Sequence, residues 1–304
     1  MKPTLFALHF GSRALPIHAY GLLVALGAIA GVLLAVRQGR RMGFDVPSVL
    51  DLAFWALVAG IVGSRLLYVM VHVGGYADLC FHSPVPRPAL RVLADCAAPL
   101  AVWQGGLVFY GGAIAAAIVV LRFARRRGWS LGKVADLLAP SLAFGHVFGR
   151  VGCLLAGCCY GKLCSFGVHF PPASVAYTEL ARQGLLAPDA PFTPALAPTQ
   201  LYEAAGEGLL FVLLIILRGR RQPFFGSLAL IYAMGYALLR TTVEIMRGDM
   251  ARGFLFELRL PRLATWLGLP VNQPLALSTA QTFSLVLGAA AASAYWILRR
   301  RKAG

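Results

Sequence analysis

Charge is scarce in this chain, and acidic charge is scarcest. Only 13% of the 304 residues are charged, with 12 Asp or Glu against 28 Lys or Arg. With 59% of the residues hydrophobic, so few polar groups cannot cover a soluble domain of this length. Composition therefore excludes a water-soluble globular protein and sets the class as integral membrane. The net charge of +16 would suit a nucleic-acid binder. The basic residues instead sit in short runs at the ends of apolar segments, so no nucleic-acid partner is expected. A cleavable leader is also missing from the reading. The first apolar run starts only after about 15 residues and is followed, not preceded, by its positive charge. Cysteine is sparse as well, at six residues. Four of the six follow the spacing C-x4-CC-x4-C at Cys153, Cys158, Cys159 and Cys164, which matches no familiar zinc pattern. Small apolar filler and a disulfide both stand as readings for them, and a metal site ranks last. Cys80 and Cys96 lie in a Pro-rich stretch and could pair in an oxidising compartment.

What the sequence has is length of apolar run. Seven segments, near 18–36, 51–73, 106–124, 134–157, 201–217, 225–246 and 279–298, can cross a hydrocarbon core of about 30 Å as helices. The expected fold is a single all-α membrane domain over 1–304. Basic runs follow the first, third, fifth and seventh segments, at Arg37 to Arg41, Arg125 to Arg127, Arg218 to Arg221 and Arg299 to Lys302. They fall on one side, which the positive-inside rule makes cytoplasmic. The N-terminus is then outside and the C-terminus inside. The stretches 74–104, 158–200 and 247–278 face outward, and RGRRQPFFG at 218–226 is a tight cytoplasmic turn.

That topology converts sequence position into depth. A charge at the bilayer centre costs about 2.5–3.5 kcal/mol on insertion scales, so each one calls for a reason. Arg65, Arg150, Arg240 and Glu244 fall in the outer parts of outward-running helices. Tyr20, Tyr110, Glu203 and Glu207 open inward-running ones. Polar residues from six helices therefore collect beneath the outer headgroups. His146 and Arg150 share a helix face, as do Arg240 with Glu244 and Glu203 with Glu207. Each such pair also has a plain structural reading as an ion pair. Convergence at one depth favours a polar cavity whose arginines hold a phosphate. In WQGGLVFYGG, residues 103–112, Gly105, Gly106, Gly111 and Gly112 suggest a broken helix entry whose amides could bind an anion; a flexible loop is the competing reading. Gly145 and Gly149 read as helix-packing positions. Gly157 and Gly161 read as points of backbone freedom.

These residues resemble a known family. GRVGCLLAGCCYG at 149–161 is similar to the Gly-Arg-x-Gly signature of the bacterial prolipoprotein diacylglyceryl transferases. GSRLLYV at 63–69, PTQLYE at 198–203 and LRTTVEIMRGD at 239–249 are similar to other family pieces. The resemblance runs from about residue 19 to residue 285. It implies transfer of the diacylglyceryl group of phosphatidylglycerol to the lipobox cysteine of a preprolipoprotein, giving a thioether and glycerol phosphate. It also implies an inner-membrane location with the site on the periplasmic side, membrane lipid as surroundings, and no metal or other cofactor. Carried over by position, Arg150 is the signature arginine and Arg240 and Glu244 form the Arg-x-x-x-Glu pair. Tyr20 is a functional tyrosine, Gly161 the closing glycine, and Gln200 and Glu203 belong to the Gln-Leu-Tyr-Glu piece. Arg65 and the four third-span glycines join the expected lipid site.

Three positions depart from the pattern. Tyr110 stands where many members have a histidine. Cys153 and Cys158 replace a signature asparagine and a signature glutamate. Three readings of the proton acceptor stand: His146, one turn from Arg150; Tyr110; or no dedicated base, the cationic cavity alone favouring the thiolate. The departures leave open another phospholipid or acceptor. A lipid transporter is the rival from a different class, although no inverted repeat is visible and the polar residues stop in the outer half. An assembly protein is a further rival. The outward stretch 158–200 is the expected receiver of the peptide.

Overall fold

The structure is a computed structural model. It describes residues 4–10, 13–81, 88, 92, 95–101, 106–187, 189–220, 222–249, 254–258 and 275–303. Expectations placed on Trp103, Gln104 and Gly105 lie outside the described residues. Nine helices are described: α1 (Ala19–Arg41), α2 (Val46–Val71), α3 (Val73–Phe81), α4 (Phe109–Arg126), α5 (Leu131–Ala156), α6 (Val175–Arg182), α7 (Thr199–Arg218), α8 (Ser227–Met246) and α9 (Thr279–Ala303). Six of them, α1, α2, α5, α7, α8 and α9, are long and apolar enough to cross a membrane. The expected third span is α4, of 18 residues. Arg122, Arg125 and Arg126 fall within its last five positions, so its apolar stretch is short. Leu33, Leu209 and Leu238 stand exposed on their helices, the reverse of a soluble core and the arrangement a lipid surface requires.

The all-α expectation holds for the long segments and misses the short ones. Strands β1 (Thr4–Phe10) and β2 (Arg13–His18) form an antiparallel hairpin in which Phe6 pairs with Ile17 and Phe10 with Arg13. Strand β3 (Leu163–Val168) lies in the 158–200 region, while β4 (Phe254–Leu258) and β5 (Leu275–Ser278) pair antiparallel just before α9. Among the described residues every strand lies outside the long apolar helices.

Contacts divide the chain into two compact units, 1–35 with 135–304 and 36–134. In the first, α5, α7 and α8 share a core of Ala139, Ala143, Leu214 and Leu228. Helix α1 packs on α5 through small residues. A Cβ on Gly27 would lie 3.1 Å from the Gly145 carbonyl, and one on Gly31 would lie 3.2 Å from the Ser141 carbonyl. Gly145 therefore packs as expected, whereas Gly149 faces open space. The 158–200 region is a folded element with its own core of Tyr160, Phe170, Ala176, Leu180 and Leu196.

Asp136 fastens the cytoplasm-expected end of this unit. Its carboxylate accepts from the amides of Gly226 at 2.7 Å and Ala229 at 3.0 Å, so a residue of α5 caps the start of α8. Those amides have no partner inside the helix, and the carboxylate meets the positive end of the helix dipole. Asp136→Ala is expected to lower stability by about 1–3 kcal/mol. Thermal unfolding in detergent checks this.

In the second unit α2 and α4 are in backbone contact. A methyl on Gly111 would overlap the Gly63 carbonyl, and one on Gly112 would overlap Ser64. The amides of both glycines point to the Val108 carbonyl, at 3.1 and 3.5 Å. They sit inside the first turns of a regular helix, so the expected broken entry gives way to a close helix crossing. Arg65 is buried and donates from Nε to the Pro99 carbonyl at 2.8 Å, and from its other nitrogens to Ala98, Gly106 and the Tyr76 hydroxyl. Gly106 takes φ +72 beneath the Tyr68 ring. Cys80 and Cys96 are joined as a disulfide across the same stretch.

Candidate active site

Within the first unit, three arginines and three carboxylates alternate. Arg150 of α5 lies 2.7 Å from Oε1 of Glu203 on α7. Oε2 of the same carboxylate accepts from Arg240 of α8 at 3.5 Å. Arg240 then meets Glu244, one turn along α8, at 2.8 Å. Glu244 is 3.8 Å from Arg247, whose Nε donates to Asp249 at 2.8 Å. Glu203 and Glu244 are almost fully buried. Burial works against the charge on Arg247, but the bond to Asp249 prevails and holds its pKa above the ordinary value.

Three positive and three negative groups leave this chain of charges formally neutral. What the network has in surplus is direction. The approach of Arg150 to Glu203 is a close ion pair that engages one nitrogen of the guanidinium. Among the described residues Glu203 is the only carboxylate within ion-pair distance of Arg150, whose side chain is 19% exposed. A guanidinium carries five donors in a planar fork. One with donors to spare beyond a single carboxylate is a ready site for a phosphate.

One turn before Arg150, Nδ1 of His146 lies 2.8 Å from Glu207 Oε1. Glu207 is fully buried, and Tyr232 donates to its other oxygen at 3.3 Å. A carboxylate only accepts, so it assigns the ring proton to Nδ1 and leaves the lone pair on Nε2. The imidazole side chain is 34% exposed. A histidine held this way, by a carboxylate behind it, is the arrangement of a general base. Tyr20 packs against Gly152, whose added Cβ would lie 3.1 Å from the tyrosine ring.

Other expected site residues have backbone roles. Gln200 is buried and donates to the Cys158 carbonyl at 2.7 Å. Gly161 is a crossing point: its amide donates to Ala197 at 2.8 Å, and the next amide, of Lys162, donates to Met246 at 2.9 Å. A Cβ there would fall 2.7 Å from the Ala197 carbonyl, so no side chain fits. Gly157, not Gly161, is the one with left-handed backbone, at φ +74. Arg65, Gly106, Tyr110, Gly111 and Gly112 belong to the second unit and surround Arg65 or its helix crossing. Tyr110 there is partly exposed, its ring 5.9 Å from Phe109.

In the sequence Glu207 stands out only through the helix face it shares with Glu203, and Tyr232, Arg247 and Asp249 carry no assigned role. The spacing carried a signal for three of them. Glu207 is one turn from Glu203. Arg247 is three residues past Glu244, and Asp249 ends the same block. Tyr232 had no such signal.

A family model described as prolipoprotein diacylglyceryl transferase matches residues 6–297. A Clostridium tetani protein called phosphatidylglycerol–prolipoprotein diacylglyceryl transferase is 33% identical over 249 residues, covering 82% of this chain and 86% of that one. A Methylococcus capsulatus protein of the same name is 32% identical over 256 residues, covering 82% and 84%. One from Oceanobacillus iheyensis, also of that name, is 31% identical over 241 residues, covering 77% and 75%.

Proposed function

The chain belongs to the prolipoprotein diacylglyceryl transferase family and is a membrane transferase, and from that premise we propose how its residues divide the reaction. The donor is phosphatidylglycerol and the acceptor is the lipobox cysteine thiol of a prolipoprotein. Arg150 and Arg240 hold the phosphate. The thiolate sulfur attacks the glyceryl carbon, the carbon–oxygen bond to phosphate breaks, and glycerol phosphate leaves. A phosphodiester with one negative charge becomes a monoester that carries more, so guanidinium donors gain in strength as the bond breaks. The observation that carries this reading is the sharing of Glu203 by two arginines, one of which has no other carboxylate partner among the described residues.

Glu203 holds the two guanidinium groups together against their repulsion, and Glu244 orients Arg240. His146 takes the thiol proton on Nε2, with Glu207 fixing the ring. Tyr20, beside Gly152, borders the lipid-facing side. The site faces the periplasmic side of the inner membrane, in a seven-span arrangement with α4 as the third span, an outer N-terminus and a cytoplasmic C-terminus. Support for this orientation comes from the basic residues that end α1, α4, α7 and α9, and from the disulfide between Cys80 and Cys96, which needs an oxidising side.

Purified protein incubated with phosphatidylglycerol and a lipobox peptide should add the diacylglyceryl mass to the peptide cysteine and release glycerol phosphate. Absence of both products from folded protein would refute the reading. His146→Gln should slow the transfer by about 10²-fold, the lower end for loss of a general base. A rate equal to wild type would show that the base lies elsewhere. The 158–200 region remains the proposed peptide receiver. Deleting 180–195 is a poor test, because Leu180 is in the core of that region and Thr193 accepts the Phe170 amide at 3.0 Å.

A further inference from the structure

Cys153, Cys158 and Cys159 have no part in the transfer just described. Their Sγ atoms nevertheless all lie within 4.8 Å of one another, and none is in a disulfide. The backbone enforces this convergence. Helix α5 ends at Ala156 and Gly157 turns the chain. The Cys158 amide then reaches back to the Cys153 carbonyl at 3.1 Å. Cys159 adopts φ +58, the only positive φ among described non-glycine residues. A side chain in that region strains the backbone and persists only where neighbours fix it. Two buried residues at the start of α7 do so: Thr199 donates to the Cys159 carbonyl at 2.6 Å and Gln200 to that of Cys158 at 2.7 Å.

We propose that Cys153, Cys158 and Cys159 form a binding site for one thiophilic d10 cation of the Zn2+ class. Zinc–sulfur bonds of about 2.3 Å set three thiolates about 4 Å apart, which these sulfurs reach by small side-chain rotations. Softness selects the metal class, since three sulfurs and no oxygen ligand disfavour magnesium and calcium. Sulfur binds the metal as thiolate, so each cysteine still protonated gives up its proton to solvent as it binds. The bound group then carries one net negative charge, and Arg247 and Arg150 both act on Cys159 electrostatically and offset it. Three protein ligands leave a fourth position open. The C-x4-CC spacing hides such a site, because the strained turn at Cys159, rather than a regular interval, brings the sulfurs together.

The test uses full-length reduced protein in detergent, stripped with a chelator and titrated with Zn2+ or Co2+. One equivalent should bind, and Co2+ should give a thiolate-to-metal charge-transfer band. The Cys153→Ser, Cys158→Ser, Cys159→Ser triple variant should lose both, and Cys164→Ser should keep both. Should the triple variant misfold, maleimide labelling of the wild type serves instead. Zn2+ should protect these three thiols and leave Cys164 reactive. No saturable binding, undiminished binding in a folded triple variant, or equal protection of Cys164 would overturn the proposal. None of these readouts depends on transfer activity.

Discussion

Replacing Arg150 by Lys is expected to lower the rate of transfer by about 10²- to 10³-fold, with the protein still folded. An ammonium keeps the charge and can still approach Glu203. It cannot keep the fork, which lets one guanidinium face a carboxylate on one edge and a phosphate on the other. The loss should fall mainly on kcat, because the lost donors matter most when the phosphate gathers charge as a leaving group. Initial rates over a range of phosphatidylglycerol concentrations, with unfolding measured in parallel, check this. A wild-type kcat with raised KM would mean that Arg150 binds the ground state only.

Glu203→Gln has the larger effect on the fold. One buried carboxylate separates Arg150 from Arg240, at 2.7 and 3.5 Å. Without its charge the two cations face each other in a poorly hydrated interior. Removing one partner of a buried ion pair costs about 3–5 kcal/mol. The melting temperature in detergent should therefore fall well below that of wild type. An anionic headgroup can supply the missing charge, so phosphatidylglycerol should raise the melting temperature of the variant more than that of wild type. Equal shifts in the two proteins would mean that the lipid phosphate does not reach this pair.

The sequence makes the long helices legible because apolar length and basic flanks are physical requirements of a bilayer. It also brings Arg150, Arg240, Glu203 and Glu244 to one depth, and the structure joins those four into a chain of ion pairs. Depth does not say what each group touches. Arg65 satisfies the same depth rule yet spends its donors on the carbonyls of Ala98, Pro99 and Gly106. Gly111 and Gly112 read as an anion-binding turn, but their lack of a side chain serves a helix crossing instead. The short strands escape notice because none shows the strict alternation of a half-buried sheet. Tyr232 and the approach of the three cysteines depend on tertiary packing and on a single strained φ, which no local pattern records.

The proposed transfer depends on one phosphate being held by both arginines. Its most direct test is calorimetric titration of phosphatidylglycerol into wild type, Arg150→Gln and Arg240→Gln, with diacylglycerol of the same chains as the lipid lacking phosphate. Each substitution should weaken phosphatidylglycerol binding by at least about 10-fold, as loss of a charge-assisted hydrogen bond does, and leave diacylglycerol binding unchanged. Wild-type affinity for phosphatidylglycerol in either folded variant, or an equal loss for both lipids, would contradict it.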